Sequence, residues 1–263
     1  MREYRLKEIY GDFYESEDQP RVVIIGGSRP GLPDPLSEEL LDYLKSNYNV
    51  LLLAYFGVGE LNRSLEMVPV EYFINAIGFI KEKYKIADNK VVIIGQSKGG
   101  EAALLLTNYM DSTITIALVA GCYVFQGLPS DRFSIVKGEP KSSWSFNNKE
   151  VPYIKFNTDK DVIDEIIEGA KKKNFCRCYE IAVERNFNRD AIINMDSYKG
   201  KVFLLSAEND SYWPSKKMSN TLIENSKNKN NLSHITLDVE GHYLLSYKES
   251  VDEIINYLEK NKF

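Results

Sequence analysis

The chain has 263 residues, of which 43% are hydrophobic and 27% charged, and its formal net charge at pH 7 is −5. This profile excludes a disordered or fibrous protein, and the scattered lysines and arginines exclude the basic face that nucleic-acid partners usually need. The N-terminus lacks the apolar core of a secretion signal, and no apolar run approaches the ~20 residues of a membrane span, so we expect a cytoplasmic protein outside the membrane.

Apolar runs typical of strands recur along the chain, at residues 22–25, 50–54, 91–94, 113–120, 202–205 and 235–239. The first three and the run at 202–205 are continuous, as in strands buried on both faces of a parallel sheet. Amphipathic patterns between them predict helices: one capped by Asp34 before Pro35, one starting near Val70, and one opened by a capping box of Ser250 and Glu253. This alternation predicts an α/β fold, with a mostly parallel, doubly wound sheet and helices on both faces.

The alternation is interrupted once, between residues 121 and 200. This stretch is rich in aromatic residues and includes an amphipathic helix pattern at about 160–173. A structureless loop of that length would be unusual between two sheet strands. We therefore predict a single domain over residues 1–263, with 121–200 inserted as a cap over the carboxyl ends of the strands.

Ser97 lies in the stretch Gly95-Gln96-Ser97-Lys98-Gly99, which matches G-x-S-x-G between a strand pattern and a helix pattern. In that context the serine is a nucleophile on a sharp turn, and the glycines two residues away make room for it. The following helix directs its first amides and its dipole at the reacting centre. The alternative is a serine turn with no catalytic role, because the motif alone is common.

A nucleophilic serine needs a general base, and the chain has two histidines. His234 begins a strand pattern, whereas His242 follows that strand after a glycine turn, so His242 is the predicted base. Asp210 follows the run at 202–205 and is the predicted acid that orients the imidazole, with Glu208 as the alternative. The order Ser97, Asp210, His242 is that of the α/β-hydrolases.

Such a site also needs two backbone donors for an oxyanion. The N–H group of Lys98, the residue after the serine, is the first predicted donor. Gly27 or Ser28, in the glycine-containing loop after the first long strand run, is the second. For either loop residue taken alone, a plain glycine turn remains the alternative interpretation.

Five stretches carry a more specific pattern, namely IIGGSRPGL, LLLAYFGVGELNRSLEMVPVEYF, GQSKGGEAALLL, LLSAENDSYWPS and VEGHYLLS. Together they resemble the catalytic domain of acyl-CoA thioesterases and bile-acid-CoA:amino-acid N-acyltransferases, a branch of the α/β-hydrolases. The resemblance implies Ser97 as nucleophile, Asp210 as acid and His242 as base. Because the transferases of that family use cysteine as the nucleophile and its thioesterases use serine, Ser97 implies hydrolysis of a thioester.

Two features depart from that family's pattern. Its members usually carry an N-terminal β-sandwich domain, which the residues before Arg21 are too few to form. The glycine-rich loop that usually follows Gly27 and Ser28 reads Arg29-Pro30-Gly31 here. Both departures bear on recognition of CoA more than on hydrolysis.

The basic run at 171–173, together with Arg177, has two interpretations. Its charges would bind the phosphates of CoA, or they form the solvated end of a helix, where lysines suit the helix dipole. The aromatic residues of 121–200 would line an acyl pocket or form that stretch's own core. Cys176 and Cys178, which are separated by one residue, match neither a disulfide framework nor a zinc site, so no metal or cofactor is expected.

The function predicted from these residues is that of a serine hydrolase. Its substrate would be a small acyl thioester or ester, with acyl-CoA as one candidate, and it would act through an acyl-enzyme. The alternative enzymes are a carboxylesterase of dienelactone-hydrolase type and an N-acyltransferase that passes the acyl group to an amine. The alternative outside enzymes is a catalytically silent α/β-hydrolase that serves as a binding module.

Overall fold

The computed structural model describes residues 9–16, 19–84, 90–131, 134–156 and 158–262. Its strands are β1 (Tyr10–Tyr14), β2 (Arg21–Ile25), β3 (Asn49–Ala54), β4 (Val68–Pro69), β5 (Val91–Gln96), β6 (Ile114–Leu118), β7 (Trp144–Phe146), β8 (Lys149–Glu150), β9 (Lys201–Asn209) and β10 (Leu232–Glu240). Its α-helices are α1 (Glu38–Asn47), α2 (Val70–Tyr84), α3 (Lys98–Leu106), α4 (Ser134–Lys137), α5 (Lys160–Lys171), α6 (Cys176–Asn186), α7 (Ser215–Asn225) and α8 (Lys248–Lys260). Short 3-10 turns lie at Arg189–Ala191 and Lys229–Asn231. None of the described helices is long and apolar enough to span a membrane.

The main sheet contains every predicted strand run, in the spatial order β1-β3-β2-β5-β6-β9-β10. Its neighbouring strands are parallel, except that β1 pairs antiparallel with β3. The predicted α/β fold with a mostly parallel sheet is therefore confirmed. Our reading of the sequence missed β1, because its residues YGDFY include Gly and Asp, which disfavour strands.

Both faces of this sheet are buried. In β2, Val23 and Ile25 belong to the apolar cluster on one face, and Val22 and Ile24 to the cluster on the other. Apolar residues of α2, α3 and α7 join the first cluster, and those of α1 and α8 join the second. Because successive side chains of a strand point to opposite faces, a strand covered on both sides must be apolar throughout.

The parallel arrangement brings four loops to one edge of the sheet. Gly27 lies two residues after β2, Ser97 directly after β5, Asp210 directly after β9 and His242 two residues after β10. These are carboxyl ends of parallel strands, where open α/β sheets bind their ligands.

Residues 121–200, called the 121–200 segment below, connect β6 to β9 and contain α4, β7, β8, α5 and α6. The helix predicted at about 160–173 is observed as α5, and α6 follows it. Within the segment, β7 pairs with β4 and β8 to form a second, three-stranded sheet. The segment is thereby tied to the chain just before α2, and Trp144 of β7 is fully buried.

Two helices begin elsewhere than predicted. α1 begins at Glu38 with Ser37 as its cap, not with Asp34, whose carboxylate instead pairs with Arg29 at 2.8 Å. α8 begins at Lys248, two residues before the predicted cap Ser250. Ser250 therefore lies inside the first turn and is not the N-cap, and its hydroxyl donates to the backbone carbonyl groups of Leu244 and Tyr247.

Candidate active site

Ser97 lies on the sharp turn between β5 and α3. Its backbone angles are φ 58° and ψ −121°, and such strained conformations cost about 1–3 kcal/mol in a residue other than glycine. A Cβ on Gly95 would lie 2.0 Å from the carbonyl oxygen of Gly99, and a Cβ on Gly99 would lie 2.2 Å from that of Gly26. Both positions therefore require glycine, and the backbone around them fixes the direction in which Ser97 points.

The structure brings Ser97, His242 and Asp210 into one hydrogen-bonded chain. Ser97 Oγ lies 2.6 Å from His242 Nε2, and His242 Nδ1 lies 2.8 Å from Asp210 Oδ1. Asp210 Oδ1 also accepts the backbone N–H of Tyr212 at 2.9 Å. The side chains of His242 and Asp210 are 5% and 2% exposed, so their contact is almost free of solvent. This arrangement can remove a proton from the serine hydroxyl and hold the resulting imidazolium.

Glu208 and His234, the other acid and the other histidine considered from the sequence, lie away from Ser97 and His242. Both carboxylate oxygens of Glu208 are 2.7 Å from Lys216 Nζ, in a largely exposed ion pair. His234 Nε2 lies 2.8 Å from Ser206 Oγ, on neighbouring strands of the sheet, and burial lowers the pKa of this histidine. Neither residue is hydrogen-bonded to Ser97 or His242.

Aromatic rings surround the imidazole of His242. Tyr212 stacks on it with ring centroids 4.8 Å apart, while Trp213 and Tyr243 meet it edge-on at 5.8 and 6.1 Å. The indole N–H of Trp213 donates to the carbonyl of Val119, which anchors this ring to the end of β6. Sequence reasoning did not single out these rings, although each is adjacent in sequence to His242 or close to Asp210.

The loop after β2 lies against the serine. A Cβ on Gly27 would be 3.3 Å from Ser97 Cβ and 3.7 Å from Ser97 Oγ. The hydroxyl of buried Tyr55 donates to the Gly27 carbonyl at 2.5 Å and lies 3.3 Å from that of Gly26. Tyr55 therefore holds this loop from behind, and it is a residue that sequence reasoning missed.

The backbone groups predicted as oxyanion donors belong to the residue after Ser97 and to the loop after β2. Lys98 is the first residue of α3, so its N–H has no acceptor within the helix. Gly27 is buried beside Ser97, and Ser28 follows it in the same loop and is half-buried. The backbone of Lys98 and that of the β2 loop thus both lie beside Ser97.

The side chain of Lys98 forms a buried ion pair with Glu101, another feature that sequence reasoning missed. The two side chains are 1% and 0% exposed, and Lys98 Nζ lies 2.9 Å from Glu101 Oε2. Loss of hydration lowers the pKa of Lys98 and raises that of Glu101, while their mutual attraction opposes both changes.

The basic cluster near the end of α5 is already engaged by acidic residues. Lys171 and Lys172 both lie within 3.5 Å of Glu168. Arg177 contacts three carboxylates, those of Glu165, Glu180 and Glu184, at 3.3, 3.5 and 2.9 Å. Most of the positive charge of this cluster is thus balanced by nearby carboxylates, which favours a solvated helix end over a site for the phosphates of CoA.

Cys176 is also near the site, because its thiol donates to the backbone carbonyl of Asp210 at 2.9 Å. Burial raises the pKa of this thiol to about 12, so it is protonated at neutral pH and is a poor nucleophile. Within the described ranges, no group of histidine, cysteine or acidic side chains is arranged to hold a metal ion.

Comparison with solved structures identifies the fold. A Staphylococcus aureus protein of unknown function superposes with a TM-score of 0.60 at 14% identity, covering 96% of this chain and 94% of its own. An esterase of Pyrococcus furiosus gives 0.58 at 14% identity, over 96% and 85%. A monoacylglycerol lipase of Paleococcus ferrophilus gives 0.57 at 14% identity, over 97% and 100%.

Comparison of sequences identifies the family. Human acyl-coenzyme A thioesterase 1 is 28% identical over 60% of this chain and 38% of its own length. Mouse acyl-coenzyme A amino acid N-acyltransferase 1 is 32% identical over 31% of this chain and 20% of its own. The matched region thus spans well under half of these relatives. The family model described as BAAT / acyl-CoA thioester hydrolase C terminal matches residues 68–246. The chain therefore belongs to this family of acyl-CoA thioester hydrolases and acyltransferases, and its fold is that of the α/β-hydrolases.

Proposed function

We propose that this protein is a serine hydrolase that cleaves an acyl thioester through a covalent acyl-enzyme. The observation that carries the proposal is the hydrogen-bonded chain from Ser97 Oγ through His242 to Asp210, at 2.6 and 2.8 Å. A serine hydroxyl is a weak nucleophile by itself, and an adjacent oriented base is what activates it.

In the first half of the reaction, Ser97 Oγ attacks the acyl carbonyl carbon while its proton passes to His242 Nε2. The carbonyl oxygen becomes negative and accepts hydrogen bonds from the amides of Lys98 and of Gly27 or Ser28. The carbon–sulfur bond then breaks, and the sulfur takes the proton from His242. The free thiol leaves, and the acyl group stays as an ester of Ser97.

In the second half, a water molecule attacks the ester carbonyl and gives a proton to His242. The bond between the acyl carbon and Ser97 Oγ breaks, and the serine takes the proton back. A carboxylic acid leaves, and the site returns to its starting state. The carboxylate of Asp210 holds His242 Nδ1–H throughout and stabilises the imidazolium formed in each half.

We further propose that the 121–200 segment acts as a cap on this site. Two contacts support this role: Trp144 of the segment donates its indole N–H to Glu101 of α3 at 2.8 Å, and Cys176 contacts the carbonyl of Asp210. A cap that reduces access of water would strengthen the electrostatic interactions on which the chemistry depends.

Acyl-CoA is the proposed substrate, because the sequence relatives include acyl-coenzyme A thioesterases. The serine at position 97 favours transfer to water, because the thioesterases of this family use serine where its transferases use cysteine. A carboxylesterase remains the second candidate, because an activated serine also cleaves oxygen esters.

The test is hydrolysis of an acyl-CoA series from short to long chains, followed by thiol release, beside simple p-nitrophenyl esters. Ser97→Ala is the blank. We expect CoA thioesters to give the higher kcat/KM, and a preference for the p-nitrophenyl esters would favour the carboxylesterase. A fluorophosphonate probe should label the wild type at Ser97, and a folded protein that neither turns over nor takes the probe would be a binding module.

A further inference from the structure

The buried pair of Lys98 and Glu101 lies in the first turn of the helix that starts after Ser97. Lys98 Nζ is 3.0 and 2.9 Å from the two carboxylate oxygens of Glu101. The chemistry described above uses the backbone N–H of Lys98 and leaves both charged side chains without a role.

Hydrogen bonds connect this pair to the 121–200 segment. Lys98 Nζ donates to Ser143 Oγ at 2.8 Å, and Ser143 Oγ donates onward to the Phe125 carbonyl at 3.0 Å. Glu101 Oε1 accepts the indole N–H of Trp144 at 2.8 Å and the backbone N–H of Phe125 at 3.3 Å. The start of α3 is thus joined to the segment through both members of the pair.

The same contacts lead to the second oxyanion loop. The Trp144 ring packs on Tyr55, with ring centroids 5.8 Å apart. The hydroxyl of Tyr55 in turn holds the Gly27 carbonyl at 2.5 Å. One continuous set of contacts therefore runs from the backbone of Lys98, through Glu101, Trp144 and Tyr55, to Gly27.

Stability alone does not account for a charged pair at this position. Two buried charges lose their hydration, so an apolar pair of similar volume is often as stable or more so. Local features that break such rules are expected where function requires them.

We propose that the Lys98–Glu101 pair is a positioning element that holds the two oxyanion donors in register. Because Lys98 Nζ is held by Glu101 and Ser143, a rotation of the Lys98 backbone that turns its N–H away from the acyl oxygen would strain or break these hydrogen bonds. Through Trp144 and Tyr55 the same pair sets the position of the Gly27 loop. This inference rests on the proposed hydrolase function.

The test replaces both charges together, so that neither is left buried without its partner. In Lys98→Met/Glu101→Leu we expect kcat for the acyl thioester to fall about 10- to 100-fold, somewhat less than removal of a whole oxyanion donor, with KM within about twofold. The rate of fluorophosphonate labelling of Ser97 should fall in parallel, since the phosphoryl oxygen uses the same donors. The neutral, hydrogen-bonding pair Lys98→Gln/Glu101→Gln should recover most of the loss.

Tyr55→Phe tests the other end of the contact chain. It should lower kcat with little change in KM, and its effect should be less than multiplicative with that of Lys98→Met/Glu101→Leu, because both act through one set of contacts. Ser145→Ala is the matched control in the 121–200 segment, since its hydroxyl donates to the carbonyl of Met67 and not to the pair. It should leave kcat unchanged.

Urea denaturation separates folding from positioning. A folded Lys98→Met/Glu101→Leu protein with wild-type kcat would overturn the positioning role and leave the hydrolase function standing. If that variant does not fold, Tyr55→Phe decides, and wild-type kcat in it overturns the role. A wild type that releases no thiol and takes no probe at Ser97 would overturn the hydrolase function, and the positioning role with it.

Discussion

Replacing Asp210 by asparagine tests the acid of the candidate site most sharply, because it changes one oxygen to an amide nitrogen with little change of volume. In the wild type, Oδ1 accepts from both His242 Nδ1 and the backbone N–H of Tyr212, at 2.8 and 2.9 Å. Oδ2 is buried and, among the described residues, has no hydrogen-bond partner. The asparagine therefore has two orientations, and each is unfavourable.

If the amide oxygen stays at the Oδ1 position, both hydrogen bonds survive but the buried NH2 group has no acceptor, which costs about 1–3 kcal/mol of stability. If the amide turns over, its NH2 group faces His242 Nδ1 and selects the tautomer with a proton on Nε2. That tautomer cannot accept the proton of Ser97. In both orientations the negative charge beside the imidazolium is lost.

We expect kcat to fall about 10⁴-fold, the size of loss produced by this change in another serine triad, which corresponds to about 5.4 kcal/mol of transition-state stabilisation. The assay is steady-state thiol release from the best acyl-CoA substrate, with urea denaturation to establish that the variant is folded. Glu208→Gln is the matched control: its exposed ion pair with Lys216 is worth about 0–1 kcal/mol, so kcat should not change. An Asp210→Asn protein with more than a tenth of wild-type kcat, or an equal loss in Glu208→Gln, would refute the assignment.

The remaining predictions concern the base, the turn and the nucleophile. His242→Ala should lower kcat by about 10⁶-fold, as for the base of another serine hydrolase, while His234→Ala should leave kcat unchanged. Thiol release measures both, and equal losses would mean that the base is assigned wrongly. Gly99→Ala should lower the free energy of unfolding by about 3 kcal/mol, because its Cβ would lie 2.2 Å from the Gly26 oxygen. Gly78→Ala, at a helical position with no atom within 4 Å of the added Cβ, should raise the free energy of unfolding by about 0.5–1 kcal/mol. Urea denaturation curves of the two glycine variants that shift in the same direction would contradict this reasoning. Burial raises the pKa of Cys122, Cys176 and Cys178 to about 12, so these thiols stay protonated at pH 7.5. Treatment with iodoacetamide should therefore leave the hydrolase active, and rapid inactivation would point to a cysteine nucleophile.

The strands that form the centre of the fold could be predicted from the sequence, because a strand covered on both faces has to be apolar at every position. The runs at 22–25 and 91–94 show this in consecutive residues, and both lie in the parallel sheet. The strand β1 lacks that signal, since it is an edge strand whose pairing with β3 stabilises a sequence that contains Gly and Asp. The starts of α1 and α8 were misjudged because Asp34 and Ser250 are suitable caps by residue type, but each bonds instead to a group that shortly precedes it in the chain.

The residues of the candidate site likewise fall into those that the sequence predicts and those that only the tertiary structure reveals. The sequence alone singled out Ser97 through its flanking glycines, whose need is local and arises within one turn. It also predicted His242 as the base and Asp210 as the acid from their places after strand patterns. Only the tertiary structure placed His242 rather than His234 beside Ser97, and Asp210 rather than Glu208 beside His242, because those distances depend on how separate strands align in the sheet. It alone revealed that the Lys98–Glu101 pair, only three residues apart in the chain, is buried against Ser143 and Trp144. It alone also revealed the contact of Tyr55 with Gly27, since burial and these partners come from segments distant in the chain.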